Sequence, residues 1–127
     1  MRHITAAVGD SSAQAMGAEH FSGGATGSAL HRTDAPHPVS VSLVRFERGV
    51  QNHWHCHEGG QLLYVVEGEG WVQARGEVPI RLLPGDSVSI AAGEEHWHGA
   101  SADSWLAHVA VSLGDIEWLE PSHPPRN

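Results

Sequence analysis

Between Gly49 and Gly99, glycine or proline interrupts the chain so often that no uninterrupted segment exceeds nine residues. A globular helix needs roughly ten to twelve residues of apolar repeat, whereas four to eight residues suffice for a strand. The segments that remain read as strands at 61–67, 71–75, 77–82, 87–90 and 96–99, with turns at Gly59-Gly60, Glu67 to Gly70, Gly76, Pro84-Gly85-Asp86 and Ala91 to Glu95. On one flank, Val39–Phe46 alternates apolar and small polar residues before turning more apolar, as a strand covered on one side does. On the other, 105–112 places Leu106, His108, Ala110 and Ser112 on one face. Many short strands without a helix-length segment imply an all-β fold, a barrel or jelly roll.

The whole chain, 127 residues, is one domain's worth. Residues 1–19 are rich in Ala, Ser and Gly without a sustained period, and are expected to form a flexible arm with a short helix around 12–18. The barrel is expected to occupy 20–120, with weakly strand-like sequence up to Thr33 and a short strand or packing tail over 116–120. The tail, 121–127, holds three prolines and is expected to fray.

Charge narrows the partners. The net charge is −8, and all seven basic residues are Arg, scattered from Arg2 to Arg126, so neither nucleic acid nor an anionic membrane is an expected partner. The absence of Lys excludes Schiff-base chemistry through a lysine. Cys56 is the single cysteine, which rules out an intrachain disulfide and suits a reducing compartment. No signal-like or membrane-length apolar run is visible, so a cytoplasmic location is expected. Histidine is the exceptional residue, eleven in all, five of them between Val50 and Ala100. That enrichment points to an imidazole site for Mn, Fe, Co, Ni or Zn rather than a thiolate one.

Strand geometry gathers some of these histidines. Alternate side chains face the same way, so His55 and His57 point together while Trp54 and Cys56 point to the opposite side. After the Gly59-Gly60 turn, Gln61 opens a strand whose antiparallel return brings its amide oxygen toward the same point. A further ligand is expected from the stretch Gly93-Glu94-Glu95-His96-Trp97-His98-Gly99-Ala100. His98 shares the parity of His96, and His108 faces inward if the barrel parity holds. His53 shares the parity of His55 but reads as a mouth residue. Trp54, Trp97 and Trp105 have parity opposite to the neighbouring histidines, so core packing or a subunit interface is their expected use. Cys56 reads as a small buried apolar residue.

The first stretch resembles cupin motif one, G-x5-H-x-H-x3-E-x6-G, with Gly49, His55, His57 and Gly68 in register and Gln61 in the glutamate slot. The second resembles cupin motif two, G-x5-P-x-G-x2-H-x3-N, through Gly85, Gly93 and His96, with Ala91 in place of the proline and Ala100 in place of the asparagine. The wording around both histidine clusters is similar to small bacterial cupins that include the manganese-dependent hydroxynitrile lyases. That resemblance implies a jelly-roll-like cupin β-barrel and a divalent transition metal, manganese foremost. It implies ligands His55, His57, Gln61 and His96, and pocket histidines at His98 and His108.

Gln61 keeps two readings, direct coordination or a hydrogen bond to a ligand histidine. Three imidazoles and an amide leave the metal charge uncompensated and make it a stronger Lewis acid. His98 and His108 are candidate general bases, since an ordinary histidine titrates near neutral pH. The resemblance implies cyanohydrin cleavage to an aldehyde or ketone plus cyanide. The alternatives are an iron- or manganese-dependent dioxygenase and a non-catalytic module that binds metal or a small ligand. The expected partner is a small-molecule substrate, and the expected assembly a homodimer or homotetramer.

Overall fold

A computed structural model describes residues 1–125. Its regular structure is nearly all strand: after one helix, α1 (Ala6–Ser11), come β1 (Gln14–Ala15), β2 (Ala25–Thr33), β3 (Val39–Phe46), β4 (His55–His57), β5 (Gln61–Gly68), β6 (Gly70–Ala74), β7 (Ile80–Leu82), β8 (Ser87–Ile90), β9 (His96–Ala100), β10 (Leu106–Leu113) and β11 (Ile116–Trp118). They form two antiparallel sheets, one ordered β1-β2-β3-β10-β5-β8 and the other β11-β4-β9-β6-β7. This is the two-sheet barrel that short, turn-punctuated strands imply.

Alternation along each strand decides what lies between the sheets. On β5, Gln61, Leu63 and Val65 are buried while Leu62, Tyr64 and Val66 are exposed. In the same register β10 turns Leu106, His108, Ala110 and Ser112 inward, and β3 turns Ser42, Val44 and Phe46 inward beside them. Phe46, Leu63, Val65, Leu82 and Leu106 fill one end of the barrel and are almost fully buried. The other end is left to the histidines.

The two ends of the chain differ from expectation. The helix is Ala6–Ser11, not 12–18, because Thr5 caps it, its Oγ1 accepting the Val8 N–H at 3.3 Å. Gln14 and Ala15 then pair with Thr26 and Gly27 of β2, and Met16 packs on the core, so this part of the arm is docked rather than loose. At the other end, Ser122 is buried and its hydroxyl donates to the Asn52 carbonyl at 2.7 Å, which ties down the start of the tail expected to fray. Arg126 and Asn127, the last residues of that tail, lie outside the described residues.

The tryptophans divide. Trp97 is fully buried within the chain and donates its indole N–H to Gln73 at 2.8 Å. Trp54 is half-buried with the Arg75 guanidinium 4.1 Å above its ring, and that arginine pairs with Glu95 and Glu120. Trp105 is exposed. Cys56, expected to be buried, is half-exposed, because β4 lies with one face to the barrel interior and the other toward solvent.

Candidate active site

β4 is three residues long, and its partners aim it. It pairs with β11 through Ile116↔His57 and Trp118↔His55, and with β9 through His55↔His96, so His96 arrives beside His55 across the ladder. Gln61 follows β4 closely because the chain reverses in a tight turn, in which the Gly60 N–H donates to the His57 carbonyl at 3.1 Å. Gly60 has φ +91°, and a Cβ there would stand 2.6 Å from the Ile90 carbonyl oxygen, so the turn requires glycine. Across the other sheet, Ser112 of β10 sits opposite Gln61.

The result is a buried cluster. Ring centroids lie 4.3 Å apart for His55 and His96, 5.1 Å for His55 and His57, and 5.7 Å for His57 and His96. His55 donates from Nδ1 to the His53 carbonyl at 2.8 Å, and His96 from Nδ1 to the Glu94 carbonyl at 2.8 Å. Each bond fixes the proton on Nδ1 and leaves the Nε2 lone pair to point into the cluster, the arrangement that metal-binding histidines adopt. Gln61 donates from Nε2 to Ser112 Oγ at 2.9 Å, which turns its Oε1 toward His96 Nε2, also 2.9 Å away. With the His96 proton on Nδ1, two lone pairs then face each other at hydrogen-bond distance. Neither ring nitrogen of buried His57 has a hydrogen-bond partner among the described residues. Acceptors facing acceptors and an orphaned imidazole are what a cation between these groups would satisfy.

Behind this group lies a second one. His98 and His108 join through His98 Nδ1 and His108 Nε2 at 3.0 Å, and Asn52 holds its side-chain Nδ2 3.3 Å from His98 Nε2. Both histidines are essentially inaccessible, and Phe46 packs against both rings. His55, His96 and His98 each offer one nitrogen within 4.8 Å of the others, near enough to hold a metal ion.

Burial governs the titration of all five histidines. Desolvation is the largest cause at each, pushing His57 and His108 down to about 4 and His55 and His98 well below the ordinary value of 6.5, with His96 lowered as well. Neighbouring imidazoles add to the effect at His55, His57 and His98. The cluster is therefore neutral around pH 7, the state in which imidazoles donate lone pairs.

The cluster opens into a cavity of about 310 Å³. Phe21, Val44, Ala110, Ile116 and Trp118 give it apolar walls, Ser40, Ser42 and Ser112 a hydroxyl-bearing side, and Met16 lines it from the N-terminal segment. Volume and lining suit a small, mostly apolar molecule with a polar end directed at the histidines.

All six sequence-derived site residues, His55, His57, Gln61, His96, His98 and His108, are thus brought together. Asn52, Ser112 and Trp118 join them in the cavity and are not among the residues the sequence singles out for the site. Ser112 shares the inward parity of His108, which was the available signal. Asn52 precedes β4 in irregular chain, where parity gives no guidance. His53 is half-buried, its ring centroid 5.9 Å from His20, while its backbone oxygen serves His55.

The cupin domain model matches residues 42–112. The chain belongs to the cupin family. This cupin is 35% identical over 107 residues to an (R)-mandelonitrile lyase from Granulicella tundricola, a match covering 81% of this chain and 82% of that one. It is similar to a cupin-like protein from Thermotoga maritima, with a TM-score of 0.79, 37% identity and 84% of each chain covered. An acetylacetone dioxygenase from Acinetobacter johnsonii superposes with a TM-score of 0.77 over 94% of this cupin and 78% of that chain, but at 14% identity the likeness speaks for the fold alone. The comparisons thus include both a lyase and a dioxygenase on one scaffold.

Proposed function

We propose that this cupin is a metal-dependent lyase that cleaves cyanohydrins to an aldehyde or ketone and hydrogen cyanide. The metal is a first-row divalent ion, manganese first and iron, cobalt, nickel or zinc after it, held by His55, His57, Gln61 and His96. The observation that carries the reading is the 2.9 Å approach of the Gln61 amide oxygen to the His96 lone pair, beside a His57 with both nitrogens free. The likeness to a mandelonitrile lyase supports the reaction. Between His57 and His98, His57 is the better ligand, because both nitrogens of His98 already have protein partners.

Bound there, a divalent ion supplies Lewis acidity that lowers the pKa of a substrate hydroxyl. The rest falls to the chain. The hydroxyl proton passes to the His98–His108 pair, the carbon–oxygen bond becomes a carbonyl as the carbon–carbon bond breaks, and the electron pair leaves on cyanide. Cyanide takes a proton back from the same pair and departs as hydrogen cyanide. Phe21, Val44 and Trp118 hold the apolar substituent and keep water from the reacting carbon. Assembly as a homodimer or homotetramer would cover the exposed Leu62, Tyr64 and Val66.

The test is aldehyde release from mandelonitrile by manganese-loaded protein, without oxygen and at mildly acidic pH, against a metal-free sample and His55→Ala. Metal-dependent, enantioselective release is expected. Release no greater than in the blanks, with oxygen uptake by iron-loaded protein given an enol or a catechol, would replace the lyase by a dioxygenase.

A further inference from the structure

The cavity has a second polar end, away from the histidines. Ser40 and Ser42 face it from the same side of β3 as the buried Val44, and strand register fixes where they stand. Gln61, Ser112 and Ser40 form one row across β5, β10 and β3, and Leu63, Ala110 and Ser42 form the next. Two strand spacings, about 10 Å, therefore separate Gln61 from the serines of β3. The residue between Leu63 and Ser42 is only an alanine, which leaves the way between the two ends open.

Ser112 is already engaged by the Gln61 amide at 2.9 Å, whereas the hydroxyls of Ser40 and Ser42 make no hydrogen bond among the described residues. Ser40 is exposed, and Ser42 is half-buried. Water can serve these hydroxyls between turnovers. A ligand that fills the cavity displaces that water, and it must replace the lost bond or leave Ser42 unsatisfied. A serine hydroxyl both donates and accepts, so another hydroxyl is a matching partner. No Asp, Glu, Lys or Arg lines the cavity, so a charged group carried there would lose its hydration without meeting a counter-charge.

We propose that the substrate carries a neutral hydroxyl on the far side of an aromatic ring, and that Ser42, with Ser40 beside it, is the specificity-determining residue that binds that hydroxyl. The ring spans the apolar middle of the cavity, whose volume of about 310 Å³ suits one ring with its substituents. That the reacting end is a cyanohydrin rests on the lyase reading. The recognition of the far hydroxyl does not.

The experiment has a binding arm and a turnover arm, both at mildly acidic pH, where the phenols are neutral. In the first, benzaldehyde, its 3- and 4-hydroxy derivatives and 4-carboxybenzaldehyde are titrated into zinc-loaded wild type and Ser42→Ala and followed by ligand-observed NMR. A hydroxybenzaldehyde is expected to bind the wild type about fivefold tighter than benzaldehyde, the carboxylate more weakly than benzaldehyde, and Ser42→Ala to lose the hydroxyl preference. In the second, the ratio of kcat/KM for the matching hydroxymandelonitrile to that for mandelonitrile should fall by a similar factor in manganese-loaded Ser42→Ala, a comparison in which the electronic effect of the ring hydroxyl cancels. No preference for either hydroxybenzaldehyde in the wild type, a preference that survives in Ser42→Ala, or tightest binding of the carboxylate overturns the proposal. Cleavage of mandelonitrile alongside any of these results would leave the lyase reading standing. The expected aldehyde preference with no cyanohydrin cleaved would sink the lyase reading and keep the role of Ser42.

Discussion

Replacing His108 with leucine should make the metal-free protein less sensitive to acid. His108 is fully buried, and burial pushes its pKa down to about 4 from the ordinary 6.5. The unfolded chain takes up a proton below pH 6.5 that the folded chain refuses. The stability this group contributes is therefore fully present above about pH 6.5, is lost as the pH falls toward 4, and falls no further below that. A gap of roughly 2.5 pH units is worth about 3 kcal/mol, of which about 2 kcal/mol is lost between pH 7.5 and pH 5. Urea unfolding of metal-free wild type and His108→Leu at those two pH values measures the difference. The fixed cost of the substitution cancels when each protein is compared with itself, and His55, His57, His96 and His98 contribute in the same direction in both. An equal acid-induced loss in the two proteins would show that His108 is not the neutral, water-excluded group described, and would refute the argument.

Other outcomes are open to direct measurement. His57→Ala should fall from about one bound divalent ion per chain to almost none by metal analysis, whereas His98→Gln should keep its metal and lose about a hundredfold or more in turnover. Ser112→Ala frees the Gln61 amide to rotate, so metal affinity in a competition titration should drop by about tenfold while thermal stability changes little. Leu63→Ala empties a fully buried site between the sheets and should cost about 2 to 5 kcal/mol in denaturant unfolding.

The legible part of this molecule is the part governed by alternation. Where strands are regular, parity put His55 with His57, His96 with His98, and His108 on the inward face, and glycine and proline marked most of the turns. The motif spacing brought in Gln61, although no local pattern tells that an amide oxygen will meet an imidazole from a strand 35 positions away. What stayed hidden depends on chain without a period. Asn52 reaches β9 from an irregular segment, the arm docks through a two-residue strand, Met16 and isolated hydrogen bonds, and Ser122 is fixed by a hydroxyl bond 70 positions back along the chain. Cys56 was misjudged for a related reason, since parity says which way a side chain points but not whether anything covers it there.

Segments on both flanks of the matched stretch line the same cavity. Met16 and Phe21 line it from one side of the sequence and Ile116 and Trp118 from the other, with His20 stacked on Trp118 at 4.3 Å, while the proposed ligands all lie within the stretch matching the cupin domain. The cavity walls are therefore shared between that stretch, through Val44 and Ala110, and the segments that flank it. The flanking segments supply one part of the cover, so exchanging them between relatives should retune what enters while leaving the proposed ligands in place.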